Sequence, residues 1–250
     1  MKGLDSVRPA GTQRIVVMVS GRGSNLIALQ QALQRKAAQI QAQERPAAIV
    51  AVVADRACAG LAWAREQQLP AFLVEATCYA DRSDFEAELS AVVARCDPDL
   101  VVMAGFMRIV SARFLELFEG RVINVHPSLL PAFPGLHTHR RALEAGVLLH
   151  GATVHWVTPE LDAGPIIGQA VLAIEPDDNE ERLAARVLRM EHCLLPSVVG
   201  HLLGLGALAF EHPPVEEPMG RGVGPFHRSP EAERILLVDP ALCRARAILP

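Results

Sequence analysis

Val122-Ile123-Asn124-Val125-His126-Pro127-Ser128-Leu129-Leu130-Pro131-Ala132-Phe133-Pro134-Gly135 is the stretch that decides the fold. Val122, Ile123 and Val125 form a short apolar run rich in β-branched residues, which suits a buried strand. Pro127 brings no N–H to a ladder, so the strand stops there. Pro131, Pro134 and Gly135 keep the following chain out of regular structure. Asn124 and His126 are two apart, so in extended chain they point to the same side. An amide donor and an imidazole then stand side by side at the end of a strand, over a stiffened loop. Ligands of open α/β sheets collect at the carboxyl ends of strands. Such a pair can stabilise an oxyanion and move a proton, the two services acyl transfer needs. A lone histidine near a strand end is more often a hydrogen-bonded structural one; here the Asn partner and the rigid loop favour chemistry.

Working outward, strands are expected at Ile15–Val19, Ala48–Val53, Pro70–Val74, Leu100–Ala104, Val122–Asn124, Ala152–Val157 and Ile166–Ile174. Helices are expected at Asn25–Lys36, Ala59–Gln68, Asp84–Arg95, Ser111–Phe118 and His139–Ala145. A long one is expected over Asn179–Leu203, interrupted near Pro196, and Ala37–Arg45 could extend the first helix. Tyr79–Ser83 reads as a polar loop. This β-α alternation predicts an α/β domain with a mainly parallel sheet and helices on both faces. The domain spans 14–209, after a polar, flexible segment over 1–13. Residues 210–250 form a Pro/Gly-rich tail without hydrophobic periodicity, in which Ile235–Val238 could add a late strand.

The composition excludes several classes. Half of the 250 residues are hydrophobic, ample for a core. The net charge of −4 gives no electrostatic reason to expect nucleic acid or an anionic membrane. An aromatic content of 4% argues against a stacking platform for single strands. No apolar run approaches the roughly 20 residues needed to span a bilayer, and the first residues lack the apolar core of a secretory signal. The cysteines at 58, 78, 96, 193 and 243 are dispersed and odd in number, as expected for reduced thiols in a cytoplasmic protein.

Gly21-Arg22-Gly23-Ser24-Asn25 joins the first strand to the first helix. Glycines let backbone N–H groups approach an anion, and a helix N-terminus adds a favourable dipole. The spacing fits neither a dinucleotide fingerprint nor a P-loop, so a phosphate monoester is the better guess. The same residues also read as a tight turn with Ser24 or Asn25 as N-cap. Asp162 lies in Glu160-Leu161-Asp162-Ala163-Gly164-Pro165, a composition that explains an ordinary turn aspartate by itself. Near His126, its carboxylate would favour the imidazolium and fix the ring. Met107, Arg108, Ile109 and Val110 follow the fourth strand and could wall a slot for a flat ring, although core packing explains Ile109 and Val110 as well. His137 and His139, with His126, raise a zinc alternative, weakened by their place between Pro134-Gly135 and a helix.

Ser20–Leu26, Ala104–Val110, Val122–Gly135, His137-Thr138-His139, Glu160–Pro165 and Glu191-His192 together resemble, in order, the folate-dependent formyltransferases, in the branch that formylates glycinamide ribonucleotide. The resemblance runs from about Arg14 to about Leu205. It implies a Rossmann-like formyltransferase fold with a largely parallel sheet of about seven strands. It implies transfer of the formyl group of 10-formyltetrahydrofolate to the amine of 5′-phosphoribosylglycinamide by direct attack. Both partners are small molecules, no metal is implied, and a monomer or a homodimer is compatible with it. On the resemblance, His126 is the general acid, Asn124 an oxyanion donor and Asp162 the support of His126. Gly23, Ser24 and Asn25 hold the phosphate and Glu191 the ribose hydroxyls. Arg82, Met107, Arg108, Ile109, Val110 and Asn124 meet the folate, and His137, Thr138 and His139 surround the site. By themselves Arg82 and Glu191 are a surface arginine and a solvated helix charge. This chain departs from the family's Asp-Gly-Gly at Ala163, which could alter loop flexibility. It also carries Leu188 where some members have a basic residue, which puts phosphate contacts from that helix in question. Formyltetrahydrofolate deformylase is the nearest rival, but calls for an extra N-terminal domain. Methionyl-tRNA formyltransferase calls for a basic C-terminal one, and the region after 210 carries Glu216, Glu217, Glu231 and Glu233. A phospho-ligand sensor would need only the glycine-rich loop.

Overall fold

Eight strands form one sheet in the order β3-β2-β1-β4-β5-β6-β7-β8, one more than the approximate count expected. They are β1 Gln13–Val19, β2 Ala47–Ala54, β3 Ala71–Leu73, β4 Leu100–Met103, β5 Val122–His126, β6 Leu149–Trp156, β7 Ile166–Ala173 and β8 Ile235–Val238. The computed structural model describes residues 11–39, 45–205, 208 and 235–238. Residues 1–10 of the segment expected to be flexible over 1–13, most of the polar extension before Pro46 and nearly all of the tail after 209 lie outside the described residues, and Gln13, counted in that segment, opens β1 by pairing with Ala47. The late strand does form: β8 lies parallel to β7. Among the described strands β6 alone is reversed, antiparallel to both β5 and β7.

The helices are α1 Ser24–Ala37, α2 Ala59–Glu66, α3 Arg82–Arg95, α4 Ala112–Leu117, α5 Thr138–Glu144 and α6 Glu180–Leu202. They cover both faces of the parallel half, which is why β1, β2 and β4 read as continuous apolar runs. Ile15, Val17 and Val19 pack in one core with Leu29 of α1 and with Leu183 and Leu194 of α6. Val16 and Met18 point the other way, into a second core with Leu89 of α3 and Phe114 of α4.

Several expected boundaries shift by one to three residues, β5 ending at His126 and β6 starting at Leu149 among them, and two departures have a clear physical cause. α3 starts at Arg82, because the Asp81 side chain accepts the Asp84 N–H at 2.9 Å and caps the helix within the stretch read as polar loop. α6 runs unbroken through Pro196. An interior proline costs about 3 kcal/mol. Leu194, Leu195, Val198 and Val199 around it are fully buried, and each such side chain contributes about 1.5–3 kcal/mol, so packing outweighs the break. Glu191 is thereby held mid-helix in a rigid rod.

Register places the site. Met103, the last residue of β4, pairs with Asn124, so β5 continues two residues past the edge of its neighbour. Ile123 and Val125 face the α6 core, so Asn124 and His126 face the other side of the sheet. Across the antiparallel pair Asn124 opposes His155, and His126 opposes Thr153.

Candidate active site

The Pro-rich loop after β5 is pinned from beneath. Thr153 Oγ1 donates to Ser128 O at 2.7 Å and accepts the Leu130 N–H at 3.0 Å. Gln169 Nε2 donates to Leu130 O at 2.9 Å. The loop therefore arches over β6 with its carbonyls held, and it closes one side of the site.

His126 is buried below this arch. Its Nδ1 lies 3.4 Å from Asp162 Oδ2, and its Nε2 lies 3.1 Å from Phe133 O. Both partners are acceptors, so each contact needs an N–H on the ring. Asp162 Oδ2 also accepts the Gly135 N–H at 2.8 Å, which ties the β6–β7 turn to the end of the arch. Asp162 holds a left-handed backbone, φ 52. Gly164 must be glycine, because a Cβ there would sit 1.7 Å from Trp156 O. Ala163 has no positive φ and no such restriction, so the departure at this position leaves the turn and its carboxylate intact.

The Asn124 amide is oriented by a residue the sequence reading missed. Asn124 Nδ2 and His155 Nε2 are 3.3 Å apart, and His155 Nδ1 is 2.9 Å from Trp156 O. The carbonyl requires Nδ1–H, and burial pushes the His155 pKa down, so Nε2 is the acceptor for Asn124. One Asn124 amide hydrogen is thus engaged and a second remains for a ligand. The available signal was the period-two alternation Thr153-Val154-His155.

These groups line one cavity of about 590 Å³. Asn25 and Glu191 lie in its lining along with Asn124, His126, Asp162 and Met107–Val110. Asn25 Nδ2 donates to Glu191 Oε2 at 2.6 Å, and Asn25 Oδ1 has no partner among the described residues. Burial pushes the Glu191 carboxyl up to about 7, against the opposing hydrogen bond from Asn25. Glu191 is no solvated helix charge; it is 7% exposed.

Gly23 and Ser24 do not line the cavity, although Asn25 does. The N-cap of α1 is Gly23, in a left-handed conformation and without a side-chain cap, in place of Ser24 or Asn25. The first-turn N–H groups therefore lack the side-chain oxygen that usually serves them, which suits an anion. Gly23 is also required sterically, since a Cβ would lie 2.5 Å from Gly60 Cα at the start of α2.

The opposite wall divides. Met107 and Ile109 are 63% and 53% exposed at the mouth, whereas Val110 belongs to the core. Arg82 does not line this cavity; its Nη2 donates to Ile109 O at 2.8 Å and buttresses the wall from outside. Exposed His137 and buried Thr138 line the cavity at the start of α5. His139 also lines it, and its Nδ1 is 3.2 Å from Nε2 of buried His150. Burial lowers both pKa values, that of His150 to about 4, so this pair is neutral near pH 7. Among the described residues no group of three or more His, Cys, Asp or Glu side chains is arranged to hold a metal ion, and no helix is long and apolar enough to cross a membrane.

A family model described as "Formyl transferase" matches residues 13–199. The chain is 44% identical over 186 residues to the phosphoribosylglycinamide formyltransferase of Escherichia coli, covering 74% of this chain and 84% of that one. It is 41% identical over 196 residues to the enzyme of the same name from Mycobacterium tuberculosis, covering 78% and 87%. Among solved structures, the phosphoribosylglycinamide formyltransferase of Coxiella burnetii superposes with a TM-score of 0.71 at 41% identity, covering 77% and 88%. Glycinamide ribonucleotide transformylase 1 of Symbiobacterium toebii does so at 0.72 and 34%, covering 92% and 96%.

Proposed function

Because the chain belongs to the formyl transferase family, we propose that it transfers the formyl group of 10-formyltetrahydrofolate to the primary amine of 5′-phosphoribosylglycinamide, in the cytoplasm and as a step of purine synthesis. The observation that carries this reading is the continuity of one cavity from the Asn25–Glu191 pair, past Asn124, His126 and Asp162, to the Met107–Val110 wall. It has room for two ligands to meet at the central polar trio.

In this reading the phosphate rests on the N–H groups at the start of α1, and the ribose hydroxyls meet Glu191. The donor's flat ring lies along Met107–Val110. The amine nitrogen attacks the formyl carbon, forming the new C–N bond and pushing the carbonyl electrons onto oxygen. The free amide hydrogen of Asn124 stabilises that oxyanion, and the Nε2–H of His126, exchanging the Phe133 carbonyl for it while Nδ1 stays on Asp162, supplies the second hydrogen bond. Collapse breaks the bond to the folate nitrogen, which takes up a proton, and the amine loses one. His126, held by Asp162, passes the proton between them. No acyl-enzyme is needed, and holding two substrates in register supplies much of the acceleration.

The test is an assay of the purified full chain with both substrates. Formylated ribonucleotide and tetrahydrofolate should appear in equal amounts, and only when the ribonucleotide is present. Release of formate without it would make the chain a hydrolase and overturn the proposal.

A further inference from the structure

Asp55 follows β2 directly and is 1% exposed. It does not line the cavity, yet two adjacent residues of the cavity wall are tied to it, Arg108 directly and Met107 through Ser20. Arg108 Nε donates to Asp55 Oδ2 at 2.7 Å, and Arg56 Nη2 donates to the same oxygen at 3.0 Å. The Ser20 hydroxyl bonds Asp55 as well, and Ser20 Oγ accepts the Met107 N–H at 2.8 Å. Met107 is thus linked through Ser20, and Arg108 directly, to one carboxylate. Ser20 is also the residue before Gly21, where the glycine-rich turn leaves β1. Burial pushes the Asp55 carboxyl up, but the hydrogen bonds from Arg56, Ser20 and Arg108 outweigh it, so the group is ionised at neutral pH. The Arg108 guanidinium is also seated over the Phe85 ring, 5.0 Å from its centroid.

Resting on the functional reading above, we infer that Asp55 is a positioning residue for the formyl-donor slot, setting the Met107–Arg108 wall and tying it to the glycine-rich turn. A buried ion pair is a weak source of stability. What this one does have is leverage. Met107 and Ile109, the neighbours of Arg108, are more than half exposed, so core packing does not fix the wall at those positions. Anchoring comes from beneath, through Asp55. The same contact restrains a guanidinium that would otherwise sweep the slot.

Steady-state kinetics of the full chain, varying each substrate in turn, provide the test. Asp55→Ala should raise KM for the donor about tenfold while KM for the ribonucleotide stays within about twofold. Ser20→Ala cuts only the link to Met107 and should raise donor KM about threefold, and Asp55→Asn, which keeps one acceptor oxygen, should fall between. A donor KM unchanged in Asp55→Ala, or both KM values and kcat moving together with a lowered Tm, would assign Asp55 to the fold alone. If Asp55→Ala does not fold, Asp55→Asn and Ser20→Ala decide by the same split. A wild-type chain that binds neither substrate sinks the functional reading and this inference with it. Wild-type turnover with an unaffected donor KM sinks only the inference.

Discussion

Glu191→Gln should flatten the dependence of stability on alkaline pH. The carboxyl sits at about 7 in the folded chain against an ordinary 4.5, because burial disfavours its charge. A folded value raised above the unfolded one means that stability is fully present below about 4.5 and is lost as pH rises through about 7. At about 1.4 kcal/mol per pH unit, the rise from 4.5 to about 7 comes to about 3–4 kcal/mol, of which about 3 is lost between pH 5 and pH 9. Glutamine is neutral throughout, and its Oε1 can accept the Asn25 Nδ2–H that Glu191 accepts at 2.6 Å. Urea unfolding of both proteins at pH 5, 7 and 9 checks this. The variant's advantage should grow by about 3 kcal/mol from the lowest to the highest pH. A stability difference independent of pH would refute the reasoning, since it would mean that Glu191 ionises as freely in the folded chain as in the unfolded one.

Gly23→Ala should destabilise by at least about 2 kcal/mol in the same unfolding assay, through its φ of +75 and its approach to Gly60; Gly21→Ala, with nothing within 4 Å of its Cβ, should be tolerated. His126→Ala and Asp162→Asn should each lower kcat about 100-fold or more with KM shifted within about threefold. Near-normal kcat in either variant would remove that residue from the chemistry.

The alternation of apolar runs with helical stripes was legible from Ile15 to Leu203, because both faces of the parallel half are covered and burial writes itself into the sequence. Asn124 and His126 were legible for a related reason: period two and Pro127 are local facts. What escaped was set by contacts between segments far apart. The helix across Pro196 survives because residues on several strands bury its flanks, which no local propensity records. His155 looks like any polar residue of a strand until register puts it opposite Asn124. Asp55 sits beside Arg56 in an ordinary turn, and only the packing of β1, β2 and β4 brings Ser20 and Arg108 to it. Glu191 reads as solvated because helical spacing says nothing about the Asn25 it meets across 166 residues.

The site is assembled from both sides of the exposed loop at Gly146–Leu148. Residues up to β5 bring Asn25, Met107, Arg108, Asn124 and His126; residues from β6 onward bring His155, Asp162 and Glu191. A peptide severed at that loop would divide the machinery into two silent pieces, since each holds a carboxylate or an imidazole without its mate. Turnover would return only on reassociation, so the fold lends itself to a split reporter whose signal registers fragment complementation rather than the survival of either part.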